Sequence, residues 1–143
     1  MPISRIYASV VWDPYNDKEV TKLERVQRRA ARWVVRRFRQ TSSVSEMLEQ
    51  LQWPSLSQRR RIARLTLMFK YHHGHIKIRS KTKPIPQPPR RSSRKTNPAA
   101  YSLPSCRTEY RKNSFFPRTV AEWNNLPIEA VTAATVGTFK PQI

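Results

Sequence analysis

The fold is decided by one stretch of the sequence, residues 16–38, which reads NDKEVTKLERVQRRAARWVVRRF. Asn16 and Glu19 have the spacing of a capping box, in which the first side chain accepts a hydrogen bond from a free backbone amide and the second bonds back to the cap. This spacing predicts that a helix begins here. The helical pattern continues to about Phe38 and predicts the most clearly amphipathic element of the chain.

Apolar and basic residues separate onto opposite faces of this helix when positions are placed at about 100° per residue. The apolar face comprises Val20, Leu23, Val26, Ala30, Trp33, Val34 and Phe38. The opposite face, which we call the arginine stripe, comprises Arg25, Arg28, Arg29, Arg32, Arg36 and Arg39. The apolar face, which includes Trp33, is predicted to lie in the core. Trp53 and Trp123 also have apolar neighbours and are predicted to be core residues.

Two more helices are predicted in the first half of the chain. Ser43, with a glutamate three residues later, begins one helix, and Pro54 ends it because a residue before proline is pushed out of the helical region. Ser55 is predicted to cap a third helix, which ends near Gly74. Residues 1–75 are therefore predicted to form a mostly α-helical cluster of about three helices.

The second half of the chain has a different composition. Within residues 77–98, eight basic residues meet no acid and five prolines interrupt the run. Such a segment buries too little apolar surface to offset the entropy of ordering it. We predict a basic, Pro-rich disordered linker over residues 76–100. Residues 101–143 are predicted to be a weakly structured C-terminal segment with short helices, one through Trp123 and a final one over residues 135–140.

The charge of the chain indicates its class of partner. There are 28 lysines and arginines against nine aspartates and glutamates, which gives a net charge of +19. Such a chain favours a polyanion, most commonly nucleic acid and next an anionic membrane surface. It has no apolar run long enough to span a bilayer. Its start lacks the charged region followed by an apolar one that marks a secretory signal, so we expect that the protein is not secreted.

The arginine stripe is the main candidate site. Solvated helix faces usually mix both signs, whereas the stripe contains six arginines and no acid after Glu24. Like charges one turn apart repel one another, and the planar fork of arginine suits phosphate. We therefore predict contact with RNA or DNA. A second basic patch at the start of the third predicted helix comprises Arg59, Arg60, Arg61 and Arg64. Arginines near a helix N-terminus oppose the helix dipole unless an anion is bound there.

Two other interpretations of the stripe remain open. In one, the helix packs on another protein and the arginines meet acidic side chains. In the other, it lies on an anionic membrane surface with Trp33 and Phe38 inserted among the lipids.

The sequence predicts no catalytic site, no cofactor and no small-molecule substrate. A polymerase needs clustered aspartates to hold two metal ions, and the only aspartates are Asp13 and Asp17. Two isolated glycines cannot build a phosphate-binding loop. His72, His73 and His75 are the one feature that suggests metal, but zinc normally takes four ligands and imidazoles also favour the C-terminal end of a helix. We expect no metal site.

Six motifs follow one another along residues 6–140. They are YASVVWDPY at residues 7–15, KLERVQRRAAR at 22–32, TSSV at 41–44, LQWPSL at 51–56, NSFFPRTV at 113–120 and WNNLP at 123–127. This succession resembles the C-terminal tail of a non-LTR (LINE-type, jockey-like) retrotransposon reverse transcriptase, the region that follows the polymerase palm and thumb.

The resemblance implies a parent protein with an endonuclease and a reverse transcriptase that copies element RNA at a nicked chromosomal target. It implies that this tail helps hold template RNA or target DNA, with the upstream reverse transcriptase domain as a partner and the nucleus as its location. The family's catalytic aspartates lie upstream and have no counterpart here, so a non-catalytic fragment is expected. The chain also begins inside a family element. The alternatives are therefore a structural, protein-interaction tail that packs on the missing thumb, or a non-functional remnant of a decayed element.

Overall fold

The computed structural model describes residues 13–36, 43–77, 84–87 and 99–143. Within these ranges the protein is mostly α-helical, which confirms the predicted class, and extended backbone pairs only at an isolated bridge between Pro86 and Tyr101. No helix in these ranges is long and apolar enough to cross a membrane. Internal contacts divide the chain into two compact units, Met1–Arg61 (unit 1) and Ile62–Ile143 (unit 2).

The helices of unit 1 begin where the sequence predicts. They are α1 (Asp17–Val35), α2 (Val44–Gln50) and the first residues of α3 (Leu56–His72). The Asn16 side chain accepts from the Lys18 amide at 3.0 Å. Ser43 caps α2, and the Ser55 hydroxyl accepts from the amide of Gln58 at 3.1 Å. Because caps satisfy amides within their own first turn, they can be recognised from local sequence.

The end of α1 is set by Arg36. This residue adopts a left-handed conformation with φ 55°, and its amide donates to the carbonyls of Arg32 and Trp33. The helix therefore stops after Val35. This end comes three residues before the predicted one at about Phe38.

The buried face of α1 differs from the predicted one, and the prediction that Trp33 is a core residue is wrong. Gln27 and Ala31 are the buried residues of this helix, which packs on α2. The Gln27 side-chain amide donates to the Pro54 carbonyl at 2.9 Å. The apolar residues are exposed instead, with relative exposures of 36% for Leu23, 66% for Val26, 70% for Trp33 and 57% for Val34. At about 100° per residue, the buried face is rotated by roughly 90° from the expected one.

Unit 2 contains the remainder of α3 and several short helices. They are α4 (Glu109–Lys112), α5 (Phe115–Asn124), α6 (Ile128–Val131), α7 (Val136–Phe139) and a 3-10 turn at Lys140–Gln142. Its core comprises Leu65, Met68, Phe69, Tyr101, Val120, Trp123, Leu126, Ala130, Val131, Ala133 and Phe139. The rings of Phe69 and Phe139 stack with centroids 4.6 Å apart. Trp123 is fully buried, as predicted.

Residues 101–143 form more structure than the weak segment that we expected. The buried side chains are few in each short helix, none in α4, three in α5, two in α6 and one in α7, so none has a long apolar period of its own. These side chains converge on the apolar residues of α3, and together they form the core of unit 2. A pattern search within one segment cannot detect such a core, because its partners are distant in sequence.

Part of the predicted linker contacts this core. The Gln87 amide donates to the Ala100 carbonyl at 2.9 Å, and the Ser102 amide donates to the Ile85 carbonyl at 2.7 Å. The Asn124 side chain bonds both backbone groups of Tyr101, at 2.9 and 2.8 Å. Residues 78–83 and 88–98 of the predicted linker lie outside the described residues.

Candidate nucleic-acid interface

Most of the arginine stripe lies on the solvent-facing surface of α1. Four of its residues are exposed, namely Arg25, Arg28, Arg29 and Arg36. Arg32 is half-buried, and Arg39 lies outside the described residues. Within the described part of the chain, none of the four exposed arginines forms an ion pair. The helix therefore presents four like charges to solvent along one side.

Glu24, the acid nearest to the stripe in sequence, is bonded to another helix. Its Oε1 accepts a hydrogen bond from the Ser57 amide at 2.9 Å. Ser57 lies in the first turn of α3, where a carboxylate compensates the positive end of the helix dipole. Glu24 therefore stabilises the start of α3, and the charge of the stripe remains uncompensated by it.

The second predicted patch contains arginines of two kinds. Arg59 and Arg61 are half-buried, whereas Arg60 and Arg64 are only 5% and 3% exposed. In unit 1, Arg60 Nε donates to Asp13 Oδ1 at 3.2 Å. In unit 2, Arg64 Nη2 donates to Glu122 Oε1 at 2.5 Å. For these two residues the protein itself provides the anion.

The electrostatics of Arg64 follow from its burial. Desolvation lowers its pKa below the ordinary value, the nearby Arg118 lowers it further, and the Glu122 carboxylate raises it. A buried guanidinium is costly unless a hydrogen-bonded acid accompanies it. The ion pair with Glu122 meets that need.

The sequence does contain a signal for the burial of Arg60 and Arg64. Both residues belong to a row at four-residue spacing that continues to Met68, which is fully buried. Residues four apart share one face of a helix. The row therefore indicates that both arginines lie on the buried face of α3. Their position within a run of basic residues conceals this signal.

The histidines at the end of α3 take part in packing. His72 Nδ1 lies 2.8 Å from the Tyr101 hydroxyl, and its ring packs beside Trp123 at 5.4 Å between centroids. Burial, followed by the neighbouring His73, lowers the pKa of His72. Burial, followed by Tyr71, raises the pKa of Tyr101. In the part of the chain that the structure describes, no three histidine, cysteine, aspartate or glutamate residues converge as a metal site.

Unit 2 also has an apolar pocket of about 470 Å³. Phe115, Phe116 and Pro117 line it beside Ile85 and Leu103. Among the described residues, the lining includes Arg111 and the two serines Ser102 and Ser114, and it contains no carboxylate, histidine or cysteine. Such walls favour an apolar group over acid–base chemistry.

No family model matches the chain, and no match to it was found among curated proteins or solved structures.

Proposed function

We propose that this chain is a non-catalytic nucleic-acid-binding module that holds RNA or DNA by its phosphates. One observation carries the proposal: Arg25, Arg28, Arg29 and Arg36 are exposed along α1 and are not paired with acids in the described residues. Arginine forks bind phosphate oxygens with directed, charge-assisted hydrogen bonds. Phosphate is the anion that a long row of such forks fits best.

In a parent protein of the LINE type, this module would hold template RNA or target DNA beside the upstream reverse transcriptase domain, in the nucleus. It would act there without a metal or cofactor of its own. The proposal does not rest on Arg60 or Arg64, because each already has a carboxylate partner. Their contact with nucleic acid remains a prediction.

The test is fluorescence anisotropy of the full chain with labelled single-stranded RNA and duplex DNA across a range of salt concentrations. The logarithm of the binding constant falls linearly with the logarithm of the salt concentration. Each phosphate contact that is lost reduces the steepness of this slope by about 0.7 on single strands and about 0.9 on duplex. Replacing the four exposed arginines by glutamine should weaken binding and flatten the slope by about 3.

A matched variant separates a local interaction from the effect of net charge. Arg107, Arg111, Lys112 and Lys140 are also exposed, and all lie in unit 2. Replacing these four by glutamine removes the same charge and should leave most of the affinity intact. If the two variants weaken binding equally, the stripe has no special role and the proposal fails.

A second candidate function is supported by the exposed apolar residues of α1. Leu23, Val26 and Val34 form an apolar strip beside the arginines, and exposed apolar patches commonly mark protein interaction sites. The strip would pack on the polymerase thumb. The partner for the test is a LINE-type reverse transcriptase domain without its tail. Weakly salt-dependent binding to that domain, abolished by Val26→Ser with Val34→Ser, would favour this function.

A further inference from the structure

Trp33 differs from the other tryptophan that lies in a helix of the described residues. Trp123 is fully buried in the core of unit 2, whereas Trp33 is 70% exposed on α1. A large indole in water is unfavourable, because apolar area gains free energy when it leaves water. The position of Trp33 on the helix indicates what kind of ligand would remove that area from water.

Trp33 lies between two arginines of the stripe. Arg29 precedes it by one turn, and Arg36, the C-cap residue, follows it by about one turn. Residues three and four apart are neighbours on a helix surface, and both arginines are exposed. The buried residues Gln27 and Ala31 lie on another face. The solvent-facing edge of the stripe therefore presents a flat aromatic group with a cation on each side.

We propose that Trp33 is a stacking platform for an unpaired base, with Arg29 and Arg36 holding the phosphates on either side of that base. This inference rests on the proposed function and specifies its substrate as a single strand. A single strand alternates flat apolar bases with anionic phosphates, and proteins bind it by combining aromatic platforms with basic grooves. In a duplex the base faces are already stacked inside the helix, so Trp33 has no face to contact.

Val34 provides a comparison within the same helix. It is apolar and 57% exposed, but it lies at about 320° around the helix on the scale that puts Trp33 at about 220° and Arg29 at about 180°. A protein that covers the apolar strip would contact both Trp33 and Val34. A base held between the arginines would contact Trp33 alone.

The test compares Trp33→Leu with Val34→Ala in the full chain, using short oligo(dT), the same strand with abasic sites, and a duplex of equal length. Trp33→Leu keeps apolar bulk and removes the aromatic face. We expect it to weaken oligo(dT) binding on the order of five- to 150-fold, the range for one stacked base. Duplex binding should change less than about twofold, since phosphate contacts are kept. Val34→Ala should bind both ligands as the unmodified chain does.

The abasic strand shows whether the indole touches the base. The unmodified chain should bind the abasic strand more weakly than the normal one, whereas Trp33→Leu should bind the two strands alike. If Trp33→Leu binds oligo(dT) with unchanged affinity, or weakens strand and duplex equally, the inference is overturned. Equal losses of affinity in Trp33→Leu and Val34→Ala would overturn it in favour of an apolar protein interface. If only the fourfold glutamine variant weakens binding, the proposed function stands and the stacking site is rejected.

Discussion

The arginines of α1 and those of α3 look alike in sequence and differ in the structure. Arg25, Arg28 and Arg29 are exposed and unpaired among the described residues, whereas Arg60 and Arg64 are buried beside acids. The partners of the second pair are 47 and 58 residues away in sequence. A run of arginines therefore predicts a charged segment, but distant acids decide whether its charge is available to a ligand.

Removing Glu122 should produce the largest loss of stability. A small loss would contradict the difference between the buried and the exposed arginines. Glu122→Ala leaves Arg64, 3% exposed, without its carboxylate, and breaking a buried ion pair costs about 3 kcal/mol. Arg28→Ala removes an exposed side chain and should change the free energy of unfolding by about 0.5 kcal/mol or less. Urea unfolding followed by tryptophan fluorescence measures both. Glu129→Ala, an exposed acid in unit 2, is the control, and similar losses of stability in Glu122→Ala and Arg28→Ala would show that the two groups do not differ.

A smaller effect of opposite sign is expected at Arg36. Its left-handed backbone costs an L-residue about 1–2 kcal/mol, and glycine avoids this cost but loses about 0.5–1 kcal/mol more entropy on folding. Arg36→Gly should therefore raise the free energy of unfolding by about 0.5 kcal/mol. The same change removes one cation of the stripe and should flatten the salt dependence of binding by about 1. Arg36→Gln, which removes the charge without relieving the backbone, separates the two effects. A decrease of stability in Arg36→Gly would contradict the strain at this cap.

The smallest effect is expected from acidification at the other end of α3. His72 faces the Tyr101 hydroxyl, His73 and Trp123, and no acid among its described neighbours stabilises its cation. Its pKa is lowered in the folded chain, so below about pH 6.5 the unfolded chain binds a proton that the folded chain refuses. Stability should be full above that pH and should fall as the pH decreases toward the folded pKa. Urea midpoints between about pH 7.5 and 5.5, above the range where most carboxylates titrate, measure the trend. His72→Gln should flatten it, and a trend that persists in this variant would assign the titration elsewhere.

What sequence could predict here was local. Asn16, Ser43 and Ser55 act on amides in their own first turn, and each caps the predicted helix. Gly74 has φ 73° just beyond α3, as is common for a glycine that stops a helix. These features follow from a few neighbouring residues, so a pattern of residue types identifies them.

What sequence could not predict depended on distant contacts. The orientation of α1 involves contacts between residues far apart in sequence, such as the bond between Gln27 and Pro54, 27 residues apart, and in that orientation Trp33 is exposed. The apolar period of α1 correctly predicted an amphipathic helix, but it predicted the wrong face of that helix to be buried. Four arginines of the stripe nevertheless remain exposed, because the rotation buries a face between the stripe and the apolar residues. Their contact with nucleic acid remains a prediction.

The stacking of Phe69 on Phe139 has a consequence for how the chain is made. Unit 2 cannot close its core until synthesis has passed residue 139, because one ring of the pair lies on α3 and the other on α7. Until then, the core around α3 lacks one of its rings. Contacts between residues so far apart also slow folding, because a long loop must close before they form. During that interval, Leu65, Met68 and Phe69 of α3 are less well covered than in the finished chain, and transiently exposed apolar surface of this kind promotes aggregation.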